Sequence, residues 1–247
     1  MPARADTLRF GAMPVGSGWY VAAAAIQRVI QPVLGGATVE IIPRGGGVAN
    51  PMVVERGTAQ LAFSNVQTAV LAMNGDALYN GQRAENIRAL IGGLNSVYMG
   101  CMVRNAYLQR TGFTTLDQIL DHGRDLRIVM KPQGSNVPPA VDTILSAHGL
   151  SRDRVRAQGG SVLQVDVSQI PAALARVGLR PAMMPNWFQG QSGETRSGDF
   201  GTVLIAHASV PEETAYRIVR AIVENRDRLV AEYPAYTEWD PLRSHLA

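Results

Sequence analysis

Three short segments rich in glycine or serine share a design that suits anion binding. They are residues 16–20, 45–50 and 134–136, and each follows a predicted strand and precedes a predicted helix. The first N–H groups of a helix have no partner within it, the helix start carries a partial positive charge, and glycine lets a ligand approach the backbone. Each segment therefore suits a carboxylate or phosphate, although a single such segment is equally typical of an ordinary turn.

The sequence lacks the motifs of nucleotide binding, nucleophilic catalysis and metal binding. No Walker lysine follows paired glycines, residues 16–18 lack the third glycine of a dinucleotide-binding loop, and no Gly-x-Ser-x-Gly nucleophile motif occurs. The single cysteine, Cys101, lies in an apolar run and is predicted to be a core residue. The histidines lack the i, i+4 spacing of a zinc site; they are His122, His148, His207 and His245. We expect no catalysis, no metal and no cofactor.

Composition limits the class of protein. The chain has 247 residues, of which 46% are hydrophobic and 17% charged, enough for one large domain or two modest ones. Its net charge is +3 and its pI about 9.3, yet the arginines are scattered, so nucleic acid is not an expected partner. A mildly basic surface suits an anionic ligand and is also compatible with a merely solvated surface.

The pattern along the chain predicts the elements that position these segments. Strands at residues 8–11, 39–42 and 59–64 alternate with helices at residues 19–34, 50–56 and 66–73. Such alternation predicts an α/β fold, with a mostly parallel sheet flanked by helices and ligands at the carboxyl ends of the strands. Residues 87–93 and 97–103 are predicted to form a strand that passes between two lobes, which places a hinge there.

The second half alternates less regularly. The pattern predicts helices at residues 115–120, 140–148 and 170–177, and strands at residues 126–130 and 203–206. A last helix is predicted from Pro211 to residue 229, because a proline and two acids stand in its first turn. No repeat is visible, and no apolar stretch is long enough to cross a bilayer.

The order of these motifs resembles a known family. Gly-Ser-Gly-Trp-Tyr at residues 16–20 is followed by Pro-Arg-Gly-Gly-Gly-Val at residues 43–48 and by Asn-Val-Gln at residues 65–67. Pro-Gln-Gly-Ser-Asn at residues 132–136 and Val-Pro-Glu-Glu-Thr-Ala-Tyr at residues 210–216 continue the pattern. The chain thereby resembles the TAXI family of TRAP-transporter solute receptors. The resemblance implies a two-lobed, type II periplasmic-binding-protein fold, with residues 1–95 and 203–247 as lobe 1 and residues 96–202 as lobe 2.

The resemblance also implies a set of ligand-binding residues. They are Ser17, Trp19, Tyr20, Gly46, Gly47, Asn65 and Gln67, faced from the other lobe by Gly134, Ser135 and Asn136, with Trp187 near the cleft. Arg44 joins them because a guanidinium can hold a carboxylate through two parallel bonds; as a loop arginine it can equally be solvated. Residues 155–170 depart from the family, where a further helix and strand are expected, so lobe 2 is predicted to be shortened.

These inferences converge on one expected function and leave others open. We expect a periplasmic, monomeric solute receptor that binds a small carboxylate, such as glutamate or a 2-oxo acid, and delivers it to the membrane permease of a TRAP transporter. The start of the chain lacks a signal peptide, so either a leader was removed or the protein is a cytoplasmic sensor of the same fold. An enzyme on a two-lobed scaffold is a third possibility.

Overall fold

The chain divides into two compact units. A computed structural model describes residues 7–100, 103–122, 126–128, 136–157, 179–186, 191 and 193–246. Unit 1 comprises Met1–Ser96 and Gly201–Ala247, and unit 2 comprises Val97–Phe200. The chain therefore passes from one unit to the other twice, and unit 1 is assembled from both ends of the sequence.

Unit 1 contains a five-stranded sheet with the order β2-β1-β3-β7-β4. Its strands are β1 (Thr7–Gly11), β2 (Thr38–Ile42), β3 (Leu61–Ser64), β4 (Ile87–Ile91) and β7 (Val203–His207). Strands β1, β2 and β3 pair in parallel, and β7 runs antiparallel to both β3 and β4. All strands of this sheet except β7 thus point the same way, which confirms the predicted α/β fold with a mostly parallel sheet.

Helices cover both faces of this sheet, because its strands alternate apolar residues between the faces. Phe10, Phe63 and Leu204 pack with helix α1 (Gly18–Ile30) in one core cluster. The neighbouring positions Ala62, Val203 and Ile205 pack in a second cluster on the opposite face. That cluster includes helices α2 (Ala49–Glu55) and α3 (Val66–Asn74), whose predicted positions are confirmed.

The predicted last helix is divided in two. Helix α8 (Glu212–Glu224) follows Pro211, and helix α9 (Arg226–Glu232) continues after a break at Asn225. Asn225 leaves the helical backbone region, with φ −108° and ψ 21°, and its side-chain amide donates to the carbonyl of Ala221 at 2.8 Å. An asparagine that bonds the preceding turn competes with helix continuation, which explains the break.

Unit 2 combines short helices with one antiparallel strand pair. The helices are α4 (Asn105–Thr111), α5 (Leu116–His122), α6 (Val137–Ala147) and α7 (Arg152–Ala157), and the strands are β5 (Arg180–Met184) and β6 (Thr195–Asp199). Predicted helices 115–120 and 140–148 are confirmed. The pattern missed α4, α7 and both strands, since β5 contains a proline and β6 carries mainly polar residues or glycine.

One buried carboxylate joins the first and last segments of unit 2. Asp199 accepts a hydrogen bond from the N–H of Val97 at 2.7 Å and from Arg180 at 2.8 Å. The predicted strand at residues 97–103 is not seen in its described part, where only Tyr98 forms a bridge, with Asp199. Residues 126–128 of the predicted strand 126–130 contain no strand longer than a bridge. Cys101, residues 129–130, most of residues 155–170 and the predicted helix 170–177 lie outside the described residues.

The buried tyrosines of unit 1 make its stability sensitive to alkaline pH. Burial raises the pKa of Tyr236 well above its ordinary value and also raises the pKa of Tyr79. Above a pH of about 10, unfolded tyrosines lose protons that the folded protein retains, so the free energy of unfolding falls as pH rises, by up to about 1.4 kcal/mol per pH unit for each tyrosine.

We therefore expect Tyr236→Phe to flatten this alkaline loss of stability. At neutral pH the variant should lose about 1 kcal/mol, because the Tyr236 hydroxyl donates to the carbonyl of Ala22 at 3.3 Å. Urea unfolding at a series of pH values between about 7 and 11 measures both effects. Tyr216→Phe, which alters an exposed ring, is the control. Equal slopes in Tyr236→Phe and wild type would contradict the assignment.

Candidate functional site

The starts of three helices lie along one edge of the unit 1 sheet. Strands β1, β2 and β3 are parallel, and each is followed at its carboxyl end by α1, α2 or α3 respectively. The loops that connect them are therefore neighbours: the N–H of Ala12, after β1, donates to the carbonyl of Ile42, at the end of β2, at 3.2 Å. The segments at residues 16–20 and 45–50 thus share one edge, which we call the carboxyl edge.

Asn50 connects these loops from within. Its side chain is fully buried and donates to the carbonyl of Ala12 at 3.0 Å and to that of Phe63 at 2.7 Å. Its side-chain oxygen accepts from the N–H of Gly46 at 3.1 Å. One amide therefore ties the ends of β1 and β3 to the glycine segment after β2.

Buried polar side chains concentrate at this same edge. Among the described residues of unit 1, the nearly inaccessible polar side chains are Asn50, Ser64, Asn65, Thr68, Asn95 and Thr202. All of them lie at the carboxyl ends of strands, in the first turns of the helices that follow, or where residues 94–95 pair with Thr202. Buried polar groups need partners, so their concentration marks the edge as a structured polar site.

The first loop presents donors at the start of α1. Ser17 caps the helix, because its hydroxyl oxygen accepts from the N–H of Tyr20 at 3.2 Å. The hydroxyl proton of Ser17 is then still available to donate to a ligand. No described atom accepts from the N–H of Gly18 or Trp19. Gly16 has φ +87°, a backbone conformation that favours glycine.

The two aromatic residues of this loop differ in position. Trp19 is 8% exposed and packs in the core, with its ring 5.8 Å from that of Phe63. The ring of Trp19 therefore anchors the start of α1 to the sheet. Tyr20 is half-buried at the beginning of the helix. Of the pair, Tyr20 has the more accessible ring for contact with a solute.

In the second loop, some polar groups make internal hydrogen bonds and others have no described partner. Both backbone polar groups of Gly46 are used by Asn50, whose N–H donates to the Gly46 carbonyl at 2.8 Å. The Gly47 carbonyl accepts from the hydroxyl of Ser64 at 3.3 Å, and the Gly47 N–H has no acceptor among the described residues. Arg44 is exposed, and no described acidic side chain pairs with it. Gly47 and Arg44 are thus the groups that this loop offers to an anion.

The third loop contributes one buried and one exposed amide side chain. Asn65 is 4% exposed, and its side chain donates to the carbonyl of Gly201 at 2.8 Å instead of capping α3. Gln67, in the first turn of α3, is exposed. Asn65 therefore holds the returning chain at the boundary of unit 1, and Gln67 lies free to contact a solute.

Of the remaining predicted site residues, one is described in unit 2 and the others lie outside the described residues. Asn136 is 5% exposed and directly precedes α6, without a side-chain bond to that helix. Gly134, Ser135 and Trp187 lie outside the described residues. The structure also places Ser64, Asn95 and Thr202 at the carboxyl edge, although the sequence did not predict them as part of the site. Asn50 lies in the predicted segment 45–50 but was not among the predicted ligand-binding residues. A polar residue at the end of a short apolar run was the signal in the sequence for Ser64, which is the last residue of β3, whereas nothing local marked Thr202.

The described residues contain neither a metal-binding cluster nor a membrane-spanning helix. No group of three or more histidine, cysteine or acidic side chains is arranged to hold a metal ion in the part of the chain that the structure describes. Within the same residues, no helix combines the length and the hydrophobicity needed to span a lipid bilayer.

Comparisons with known proteins agree on the kind of fold. A family model described as the NMT1-like family matches residues 10–186. Among solved structures, PhnD1 of Prochlorococcus marinus in complex with methylphosphonate superposes with a TM-score of 0.53 at 9% identity, covering 95% of this chain and 91% of that one. No curated protein sequence matches the chain.

Two further structures are similar at lower scores. A TRAP periplasmic solute-binding protein of Ochrobactrum anthropi has a TM-score of 0.46 at 14% identity, covering 95% of this chain and 80% of that one. The alkanesulfonate-binding protein SsuA of Xanthomonas axonopodis pv. citri has a TM-score of 0.45 at 10% identity, covering 99% of this chain and 83% of that one. The predicted fold class, a type II periplasmic-binding-protein-like α/β fold, is confirmed.

Proposed function

Because the chain belongs to the NMT1-like family, we propose that it is a solute-binding protein that captures a small carboxylate and does not transform it. We propose further that it belongs to the TAXI group of TRAP-transporter receptors. In this proposal the carboxyl edge of unit 1 holds the ligand, and unit 2 is the second lobe of the receptor.

One observation carries the proposal: the buried polar side chains of the described part of unit 1 gather where the N-termini of its helices meet. Open α/β sheets bind ligands at the carboxyl ends of their strands. N–H groups of Gly18, Trp19 and Gly47 without described acceptors support an anion as the ligand, since helix starts favour negative charge.

The charges at the edge support a ligand of modest charge. Its donors are mostly neutral, namely backbone N–H groups, the Ser17 hydroxyl and the Gln67 amide, and Arg44 is the described cation on its loops. One guanidinium and several neutral donors balance one or two negative charges. A carboxylate such as glutamate or 2-oxoglutarate fits this set of donors.

A thermal unfolding screen tests the proposal. The chain should be heated with saturating glutamate, 2-oxoglutarate, succinate, methylphosphonate or methanesulfonate. A ligand present at about 100 times its Kd stabilises the folded state by about 2.7 kcal/mol. For a protein of this size, that raises Tm by roughly 5–10 °C.

The pattern of shifts separates the parts of the proposal. A shift with a carboxylate, together with recovery of the unchanged compound, supports it. A shift with methylphosphonate or methanesulfonate alone would keep the solute-binding function and refute the carboxylate class. No shift with any compound would refute solute binding at this edge, and conversion of the bound compound would refute the absence of catalysis.

Arg44 provides a sharper test of charge recognition. We expect Arg44→Met to weaken carboxylate binding about tenfold, because it removes a charge-assisted hydrogen bond. Its stability should stay within about 0.5 kcal/mol of wild type, since the side chain is exposed. Arg56→Met changes an exposed arginine at the other end of α2 and should bind normally. Titration calorimetry measures both variants, and equal affinities would exclude Arg44 from the site.

The proposed partner is a membrane permease, and the proposed location is the periplasm. A receptor of this kind functions beside its permease, so a gene for a large fused membrane permease next to this one supports the transport role. Uptake of the bound carboxylate by cells that express both proteins, and its loss when this chain is deleted, is the direct measurement. Unchanged uptake after deletion would favour a sensor of the same fold.

A further inference from the structure

The hydroxyl of Thr202 is buried at the carboxyl edge without a hydrogen-bond partner. Thr202 is 1% exposed, and no described atom lies within hydrogen-bond distance of its Oγ1. The side chains of Asn50, Ser64, Asn65 and Asn95, by contrast, each make a described hydrogen bond. A buried hydroxyl that bonds to nothing is destabilising, so its presence requires a reason.

The backbone around Thr202 fixes this hydroxyl among the groups of the site. The N–H of Thr202 donates to the carbonyl of Asn95 at 3.0 Å, and its carbonyl accepts from the N–H of Leu94 at 3.1 Å. On its other side, Gly201 is held by the side chain of Asn65 at 2.8 Å. Both backbone polar groups of Thr202 are thus held by hydrogen bonds, and its side chain is buried.

The alternation of side chains along β7 indicates the direction of this hydroxyl. Val203 packs on the α2 and α3 face, whereas Leu204 packs on the α1 face. Thr202 directly precedes β7 and has the parity of Leu204, while a Cβ added at the preceding Gly201 would meet Val66 of α3. Thr202 is therefore assigned to the α1 side of the edge. The start of α1 lies on that side, where the N–H groups of Gly18 and Trp19 have no described acceptor.

We propose that Thr202 is a specificity-determining residue of the site, whose hydroxyl bonds an oxygen of the bound anion. This inference rests on the proposed function and adds a neutral contact from the strand that returns to unit 1. Thr202 therefore selects anions that have an oxygen atom close to the start of β7, in addition to the oxygens bound by the helix starts. Thr202 then gains its missing partner only when the site is filled.

Substitution by valine tests this role, because valine has the shape of threonine without its hydroxyl. We expect Thr202→Val to bind the carboxylate about tenfold more weakly, as one bond to a charged group is lost. The unliganded variant should be at least as stable as wild type, since an unsatisfied hydroxyl has been removed. Thr202→Ser keeps the hydroxyl and should keep the affinity. Thr143→Val, which removes a hydroxyl bonded to the Pro139 carbonyl in unit 2, is the matched control and should bind normally.

Calorimetry with glutamate, 2-oxoglutarate and succinate, together with the Tm of each unliganded protein, distinguishes the outcomes. Weaker binding without loss of Tm in Thr202→Val, and near-normal binding in Thr202→Ser, supports the inference. Equal affinity of wild type and Thr202→Val refutes it while leaving the proposed function intact. A large loss of Tm in Thr202→Val assigns the hydroxyl a structural role and also refutes it. If wild type binds none of the three compounds, the proposed function fails first.

Discussion

Replacing Asn50 with leucine is expected to lower the free energy of unfolding by about 4 kcal/mol and to abolish ligand binding. Leucine has a similar size, so the loss comes from polar groups that are left buried without partners. The carbonyls of Ala12 and Phe63 and the N–H of Gly46 all make hydrogen bonds with this side chain. Each buried unsatisfied group costs about 1–3 kcal/mol, and the three share one network.

Urea unfolding measures this loss, and Asn225→Ala is its control. Asn225 makes a single described side-chain bond, to the Ala221 carbonyl at the end of α8, and is partly exposed. Its replacement should cost about 1 kcal/mol and leave binding unchanged. An Asn50→Leu protein with nearly wild-type stability would show that the three loops are held together by something other than this amide.

Replacing Gly45 with alanine is expected to cost about 3 kcal/mol or more and to weaken binding strongly. Gly45 has φ +96°, a conformation that side chains disfavour, and an added Cβ would overlap the side-chain oxygen of Asn50. Both effects act on one loop, because the overlap displaces the amide that orders it. The N–H of Gly47 would then lose its fixed direction.

Gly16→Ala separates the two effects. Gly16 has a similar positive φ of +87°, but a Cβ added there would meet nothing within 4 Å. The control should therefore lose only the conformational part, about 1 kcal/mol. Thermal unfolding and calorimetry of both variants make the comparison. Equal losses in the two variants would contradict a specific contact between Gly45 and Asn50.

The fold of unit 1 could be predicted from the sequence because its segments are strongly patterned. Short apolar strands alternate with helices that start at recognisable residues, such as Ser17 before α1 and Pro211 before α8. In unit 2 the same approach missed β5 and β6. Their residues have low strand propensity, and β6 is also held by a contact far along the chain, the hydrogen bond from the N–H of Val97 to Asp199.

The candidate site was predicted only in part, for a physical reason. Residues that begin helices, such as Ser17 and Gly47, carry a local signal, because glycine and serine have special roles at helix starts. Asn50 is buried and bonds to residues elsewhere in the chain, and Thr202 is buried beside segments about 110 residues away, which one sequence does not display. Trp19 is a residue that the sequence predicted for the site and that the structure places in the core, where its ring packs against Phe63. An aromatic residue beside a loop is equally suited to ligand binding and to core packing, so the sequence did not distinguish the two.

The place of β7 in the sheet has a consequence for how the protein is made. This strand lies between β3 and β4, although about 110 residues separate it from β4 in the sequence. When the first 200 residues have left the ribosome, β3 and β4 are present, but β7, which pairs with both, is not. Until β7 emerges, the apolar faces of the sheet stay incompletely covered. Nascent chains of this protein should need chaperone protection until the end of translation, and a truncation before Val203 should yield aggregates in place of a smaller soluble domain.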